Sequence, residues 1–135
     1  MMDYRDDVYF NSKPENEAPF SVEEFAGRLN RLRRKMAEAK IDMLYLMAPE
    51  SMYYLSGYQN EWYQAQSPQQ WPASSAIAVH VDHDHYILFD SEREAVLGRI
   101  FTKSTDTRYF PREALRGSAD FIATELRREG WLTGT

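Results

Sequence analysis

A single α/β domain is what this sequence predicts, and three observations carry that reading. Two long stretches show an apolar stripe at helical spacing behind clear start signals, short apolar runs of strand length lie between them, and the two kinds of segment interleave along the chain. With 135 residues the chain is long enough for one compact core and too short to expect two.

Residues 1–19 mix charge, Asn and Pro with no strand or helix period, so they are expected to form an N-terminal arm, with Tyr4, Tyr9 and Phe10 as anchors. The domain proper is expected over 20–135. "FSVEEF" opens a helix: Ser21 and Glu24 have capping-box spacing, and Phe20 and Phe25 stand at the staple positions. Phe25, Leu29, Leu32 and Met36 then make one apolar stripe, while Arg28, Arg31, Arg33, Arg34 and Lys35 read as a solvated face. "DMLYLM", 42–47, reads as a strand buried on both faces. In "PESMYYLSG", Pro49 suits a first turn and Gly57 a left-handed stop, which predicts one or two helical turns between them. The following "YQNEWYQAQSPQQWP" is Gln-rich, with irregular Tyr58, Trp62, Tyr63 and Trp71, and reads as a functional loop or an edge.

"SSAIAVHV" and "HYILFD" are so close that an antiparallel hairpin must join them. "SEREAVLGRIF" repeats the capping-box spacing with Ser91 and Glu94, and "TDTRYF" is a further strand. Pro111 is expected to start the last helix, with Leu115, Ala119, Ile122 and Leu126 buried and Gly130 at its left-handed end. "WLTGT" reads as the apolar start of a strand cut short, so the chain is expected to be a fragment of something larger.

Hydrophobic residues make up 43% and aromatics 14%, a globular composition, and the 9 tyrosines suit half-wet or binding surfaces. Sixteen Lys and Arg against 21 Asp and Glu leave a formal charge of -5, which supplies no electrostatic attraction for nucleic acid. The absence of cysteine excludes disulfides, thiolate nucleophiles and zinc–thiolate clusters, and fits a reducing compartment. No apolar run approaches the roughly 20 residues that span a bilayer, and acidic "MMDYRDDVYF" lacks signal-peptide features. A cytoplasmic protein without a membrane partner is expected.

"HVDHDHY", 80–86, holds His80, His83 and His85 between Asp82 and Asp84. A transition-metal site needs three or four ligands converging on one point, and alternation along a strand opposes that convergence. Asp and His are also good turn residues, so the cluster reads as a polar hairpin tip, with His80 the member suited to a neutral imidazole holding one hydrogen bond. No G-x-S-x-G elbow, phosphate loop or H-E-x-x-H occurs, and the carboxylate pairs Glu23-Glu24, Glu92-Glu94 and Asp6-Asp7 suit helix starts or solvated surface. No catalytic and no metal-binding residue is assigned.

"FAGRLNRLRRKMAEAKIDMLYLMAPESMYYLSGY" resembles the N-terminal domain of the creatinase/prolidase/aminopeptidase P family of metalloenzymes, through R-x-x-x-L-R-x-x-M-x-x-x-x-I-D-x-L ending at Leu44 and Y-L-S-G at 54–57. The likeness runs more loosely over 20–135; Glu50-Ser51 departs from it, where relatives often have asparagine after the proline. It implies a mixed β-sheet flanked by helices, followed after Thr135 by a catalytic domain absent from this chain. That domain would hold two divalent metal ions (Mn, Zn or Co), with no ligand from these residues.

The resemblance further implies a homodimer, in which this domain shapes the active site of the partner subunit, and a small peptide or an amidine or amide as substrate. Carried onto this chain, the substrate-contacting stretch is Tyr58, Trp62, Tyr63, Gln64 and Gln66. Aromatic rings with polar handles suit closure over a small polar group. Creatinase-like members have an arginine near Ala65 for a substrate carboxylate, and its absence here argues against creatine itself. A free-standing binding or dimerisation module is the alternative.

Overall fold

A computed structural model describes residues 15–58, 75–111 and 117–133. In chain order the elements are helix α1 (Val22–Glu38), strand β1 (Met43–Leu46), helix α2 (Pro49–Ser56), strands β2 (Ala76–His80) and β3 (Tyr86–Ser91), a 3₁₀ turn (Glu92–Glu94), helix α3 (Ala95–Phe101), strand β4 (Thr107–Phe110) and helix α4 (Ser118–Arg128). The four strands form one sheet in the order β1-β2-β3-β4. β2 pairs antiparallel with both β1 (Leu44 opposite Val79) and β3 (Ile77 opposite Leu88), whereas β4 runs parallel to β3, with Leu88 opposite Thr107. A parallel step requires a crossover, which the 3₁₀ turn and α3 provide. The single α/β domain with a mixed sheet is therefore observed.

Strand alternation divides the core in two. Ile77, Val79 and Leu88 face Leu29 and Met36 of α1, Met52 and Leu55 of α2, and Tyr58. On the other face Ala78, Ile87 and Phe89 meet Ile122 and Leu126 of α4 and Trp131. β2 and β3 are central and apolar on both sides, as the hairpin reading requires. β1 corrects its expectation: all four residues are only half-buried and Met47 beyond them is exposed, because the strand lies at the sheet edge.

Ser21 caps α1 by accepting from the Glu24 amide at 3.1 Å, and Phe20 meets Phe25 edge-on at 5.9 Å. The Glu24 carboxylate accepts from Arg28 Nε at 3.1 Å. The arginine run is not uniformly solvated. Arg28 lies over the Phe20 ring at 4.1 Å and donates to the Tyr54 carbonyl at 2.9 Å, and Arg33 donates to the Val81 carbonyl at 3.2 Å. Their long stems reach across the helix flank to neighbouring backbone, while Arg31, Arg34 and Lys35 stay exposed.

Pro49 starts α2 and Gly57 ends it with φ 80°. A Cβ on Gly57 would stand 2.6 Å from Pro19 Cδ and 3.1 Å from both the Phe101 carbonyl oxygen and Phe25. Gly57→Ala is therefore expected to lower stability by about 2 kcal/mol, from left-handed strain plus this crowding, as read by urea denaturation. A loss below about 0.5 kcal/mol would show that the site relaxes freely.

The second capping box does not form as expected. Ser91 still pairs with Phe110 as a strand residue, so the chain turns tightly: its hydroxyl accepts from the Arg93 amide at 3.3 Å and a 3₁₀ turn precedes α3. α4 begins at Ser118 behind Gly117 rather than at Pro111, and Leu115 lies outside the described residues. Ser118, not Ala119, joins Ile122 and Leu126 on its buried side. Arg108 ties β4 to α4 through Glu125 at 3.0 Å and Glu129 at 2.8 Å, and also pairs with Asp106.

Gly130 takes φ 76°, and the Trp131 and Leu132 amides both donate to the Leu126 carbonyl, at 2.9 and 3.3 Å. Trp131 thus folds back onto the core instead of starting a strand. Of the arm, residues 15–19 are described: Asn16 donates to the Arg99 and Thr102 carbonyls at 3.0 and 2.7 Å, docking it on the end of α3. Tyr4, Tyr9 and Phe10 lie outside the described residues.

Candidate functional site

The positions expected to meet substrate begin where α2 ends. The left-handed Gly57 turns the chain inward, and Ser56 Oγ, itself donating to the Met52 carbonyl at 2.6 Å, accepts from the Tyr58 amide at 3.0 Å. Tyr58 is consequently buried, its ring in the core cluster beneath α1 and α2. Its hydroxyl donates to Asp90 Oδ2. Ser75, immediately before β2, donates its hydroxyl to Asp90 Oδ1 at 2.6 Å, and the Ser91 amide donates to the same oxygen at 2.7 Å. Gly98 packs beside this arrangement: a Cβ there would crowd the Tyr109 hydroxyl at 2.6 Å, while the Tyr58 ring, at 3.6 Å, would be in ordinary contact.

Asp90 is 1% exposed, and its described partners are two hydroxyls and an amide. Burial pushes its carboxyl up to about 6; the hydrogen bonds from Ser75, Tyr58 and Ser91 oppose that rise, and the charge of Glu94 adds to it. Both hydroxyls donate to the carboxylate, and the three histidines lie at the hairpin tip, so the cluster has no imidazole to take a proton from Ser75. Its chemistry is that of a fastening.

Of the five expected contact residues, Tyr58 is placed with its hydroxyl turned inward, and Trp62, Tyr63, Gln64 and Gln66 lie outside the described residues. Asp90 and Ser75 escaped the sequence reading. The available signal was an acidic side chain in step with Tyr86 and Leu88 on an otherwise apolar strand.

The histidine hairpin is organised around an indole. His83 stacks on Trp131 with centroids 5.1 Å apart, and His80 and His85 tilt against it at 5.7 and 5.4 Å. His80 Nδ1 accepts from the Asp82 amide at 3.1 Å, and the His83 amide donates to the His80 carbonyl at 3.2 Å, closing the turn. Among the described residues no group of three or more His, Asp or Glu side chains is placed to hold a metal ion. A hollow of about 150 Å³ between α1 and the turn at 103–105, lined by Phe25, Leu29, His85 and Tyr86, is below the roughly 300–1,000 Å³ of small-molecule sites. Among the described residues no helix is long and apolar enough to cross a membrane.

No curated protein matches the chain significantly in sequence. Its structure is similar to the crystal structure of an Xaa-Pro aminopeptidase from Streptococcus pyogenes, with a TM-score of 0.58 and 16% identity over 82% of this chain and 71% of that one. At that identity the likeness concerns the fold. The family model for the creatinase/prolidase N-terminal domain matches residues 28–125, from the middle of α1 into α4, a span that includes Asp90 and both of its hydroxyl donors. That span is well over half of the sequence, and the chain belongs to the creatinase/prolidase N-terminal domain family.

Proposed function

We propose that this chain is the non-catalytic N-terminal domain of a metallohydrolase of the Xaa-Pro peptidase or creatinase type. The observation that carries the reading is the family match over residues 28–125, supported by the fold shared with an Xaa-Pro aminopeptidase. The catalytic half would follow this domain and hold two divalent ions, Mn, Zn or Co, with ligands of its own. What this chain supplies is a scaffold: a sheet packed on both faces, with Tyr58 at the end of α2 fixed in its core.

In a homodimer, Trp62, Tyr63, Gln64 and Gln66 would line the wall of the partner subunit's active site and exclude water around a small peptide or an amidine or amide substrate. Tyr58, with its hydroxyl on Asp90, would act at the root of that wall. A cytoplasmic location is supported by the absence of cysteine.

Trp62→Ala and Tyr63→Ala in the complete enzyme are expected to lower kcat/KM roughly tenfold or more, with Tm nearly unchanged. Unchanged kinetics would reject the wall. A native gene product ending at Thr135, read by intact mass, would reject the parent-enzyme reading itself.

A further inference from the structure

Tyr58 and Ser75 are far apart in the reading frame of the fold, one leaving α2 and the other entering β2, and they stand on either side of residues 59–74. Both reach the same buried side chain. Tyr58 donates to Oδ2 of Asp90 and Ser75 to Oδ1 at 2.6 Å, while the Ser91 amide, also on Oδ1, holds the carboxylate to its own strand. We propose that Asp90 is a positioning residue, a clasp whose two oxygens fasten both ends of the 59–74 segment to one point on β3.

Three features support a clasp over a generic buried polar contact. A carboxylate offers two acceptor oxygens, and each one takes a hydroxyl from a different end of the segment. Asp90 lies on β3, an inner strand of the sheet, opposite Tyr109 of β4, and is 1% exposed, so the fixed point is in the close-packed interior. The entry to the segment is held a second time, by Gly57 in its left-handed conformation and by Ser56 Oγ on the Tyr58 amide. Asp90 thus does for the segment what a short cross-link would do, setting the separation of its ends. The inference goes beyond the proposed function, because it holds whether or not the segment meets a substrate.

Hydrogen exchange followed by mass spectrometry on the full chain tests it, in the parent protein and in Ser75→Ala, Tyr58→Phe and Asp90→Ala. A clasp couples its two ends. Ser75→Ala is therefore expected to speed exchange at the Gly57 and Tyr58 amides, and Tyr58→Phe to speed it at Ser75 and Ala76, each roughly tenfold for one lost buried hydrogen bond. Amides in α4 should keep the parent rate. In the Asp90→Ala background the cross-effect of Ser75→Ala on Tyr58 should fall to less than about twofold, since both acceptor oxygens are gone. Effects confined to the mutated end, or the same acceleration in α4 as at residues 57–58, would overturn the clasp.

Discussion

Asp90→Ala is expected to destabilise the domain by about 3 kcal/mol, whereas Asp90→Asn should stay within about 1 kcal/mol of the parent at pH 7. Alanine leaves the Tyr58 and Ser75 hydroxyls and the Ser91 amide without their acceptor at a site that is 1% exposed, and it opens a void between them. Asparagine keeps one acceptor for Ser75 and Ser91, and its NH₂ can donate to the Tyr58 oxygen, while the unfavourable burial of a charge disappears. Urea denaturation of the three proteins checks the order. An alanine variant as stable as asparagine would show that the cluster has no net stabilising value.

The same pair should differ with pH. Burial raises the Asp90 carboxyl from 3.8 to about 6 in the folded protein, so the folded state binds this proton more tightly than the unfolded chain does. Its contribution is fully present below the unfolded value and is lost as pH rises through about 6. Relative to the parent, Asp90→Asn should therefore gain stability between about pH 4 and pH 6 and then level off. The gain is on the order of 3 kcal/mol. A parent-minus-variant difference that is flat across this window would mean that the carboxyl titrates normally.

Trp131→Ala is expected to cost about 3 kcal/mol or more. The indole is 4% exposed, packs with Ile122 and Leu126 against Ala78, Ile87 and Phe89, and carries the rings of His80, His83 and His85 on its outer side. His83→Ala, which removes one stacked ring from an otherwise intact core, should cost about 1 kcal/mol. Thermal unfolding followed by circular dichroism would separate the two. Equal losses would assign the stabilisation to the imidazole stack, and a negligible loss from Trp131→Ala would show that the residues after Gly130 contribute little to the core.

Local features were legible wherever residues within about four positions decide the outcome. Ser21 caps α1 because its hydroxyl needs only the amide three residues on, and Gly57 and Gly130 end their helices because each must take a left-handed backbone. The hairpin followed from the short separation of two apolar runs. Where sequence and structure part, a distant segment is responsible. β1 reads as buried on both faces, yet it became an edge because, among the described residues, only β2 lies beside it. Arg28 and Arg33 read as solvated, yet they found the Tyr54 and Val81 carbonyls across the fold.

The root of the candidate site shows the same division. Tyr58 was reachable through a family resemblance on its neighbouring Y-L-S-G, but Asp90, the last residue of "HYILFD", drew no reading of its own. Its partners come from 32 and 15 residues away, and the value of a buried carboxylate depends wholly on which donors arrive. By itself the sequence determined the presence of the helices, the Ser21 cap, the left-handed ends at Gly57 and Gly130, the hairpin and the family. The order of strands, the gathering of three imidazoles on Trp131 and the meeting of Tyr58 and Ser75 at Asp90 were decided only by tertiary structure. Short-range backbone rules act within one turn, while burial and hydrogen-bond satisfaction are set by whichever segments the whole chain brings together.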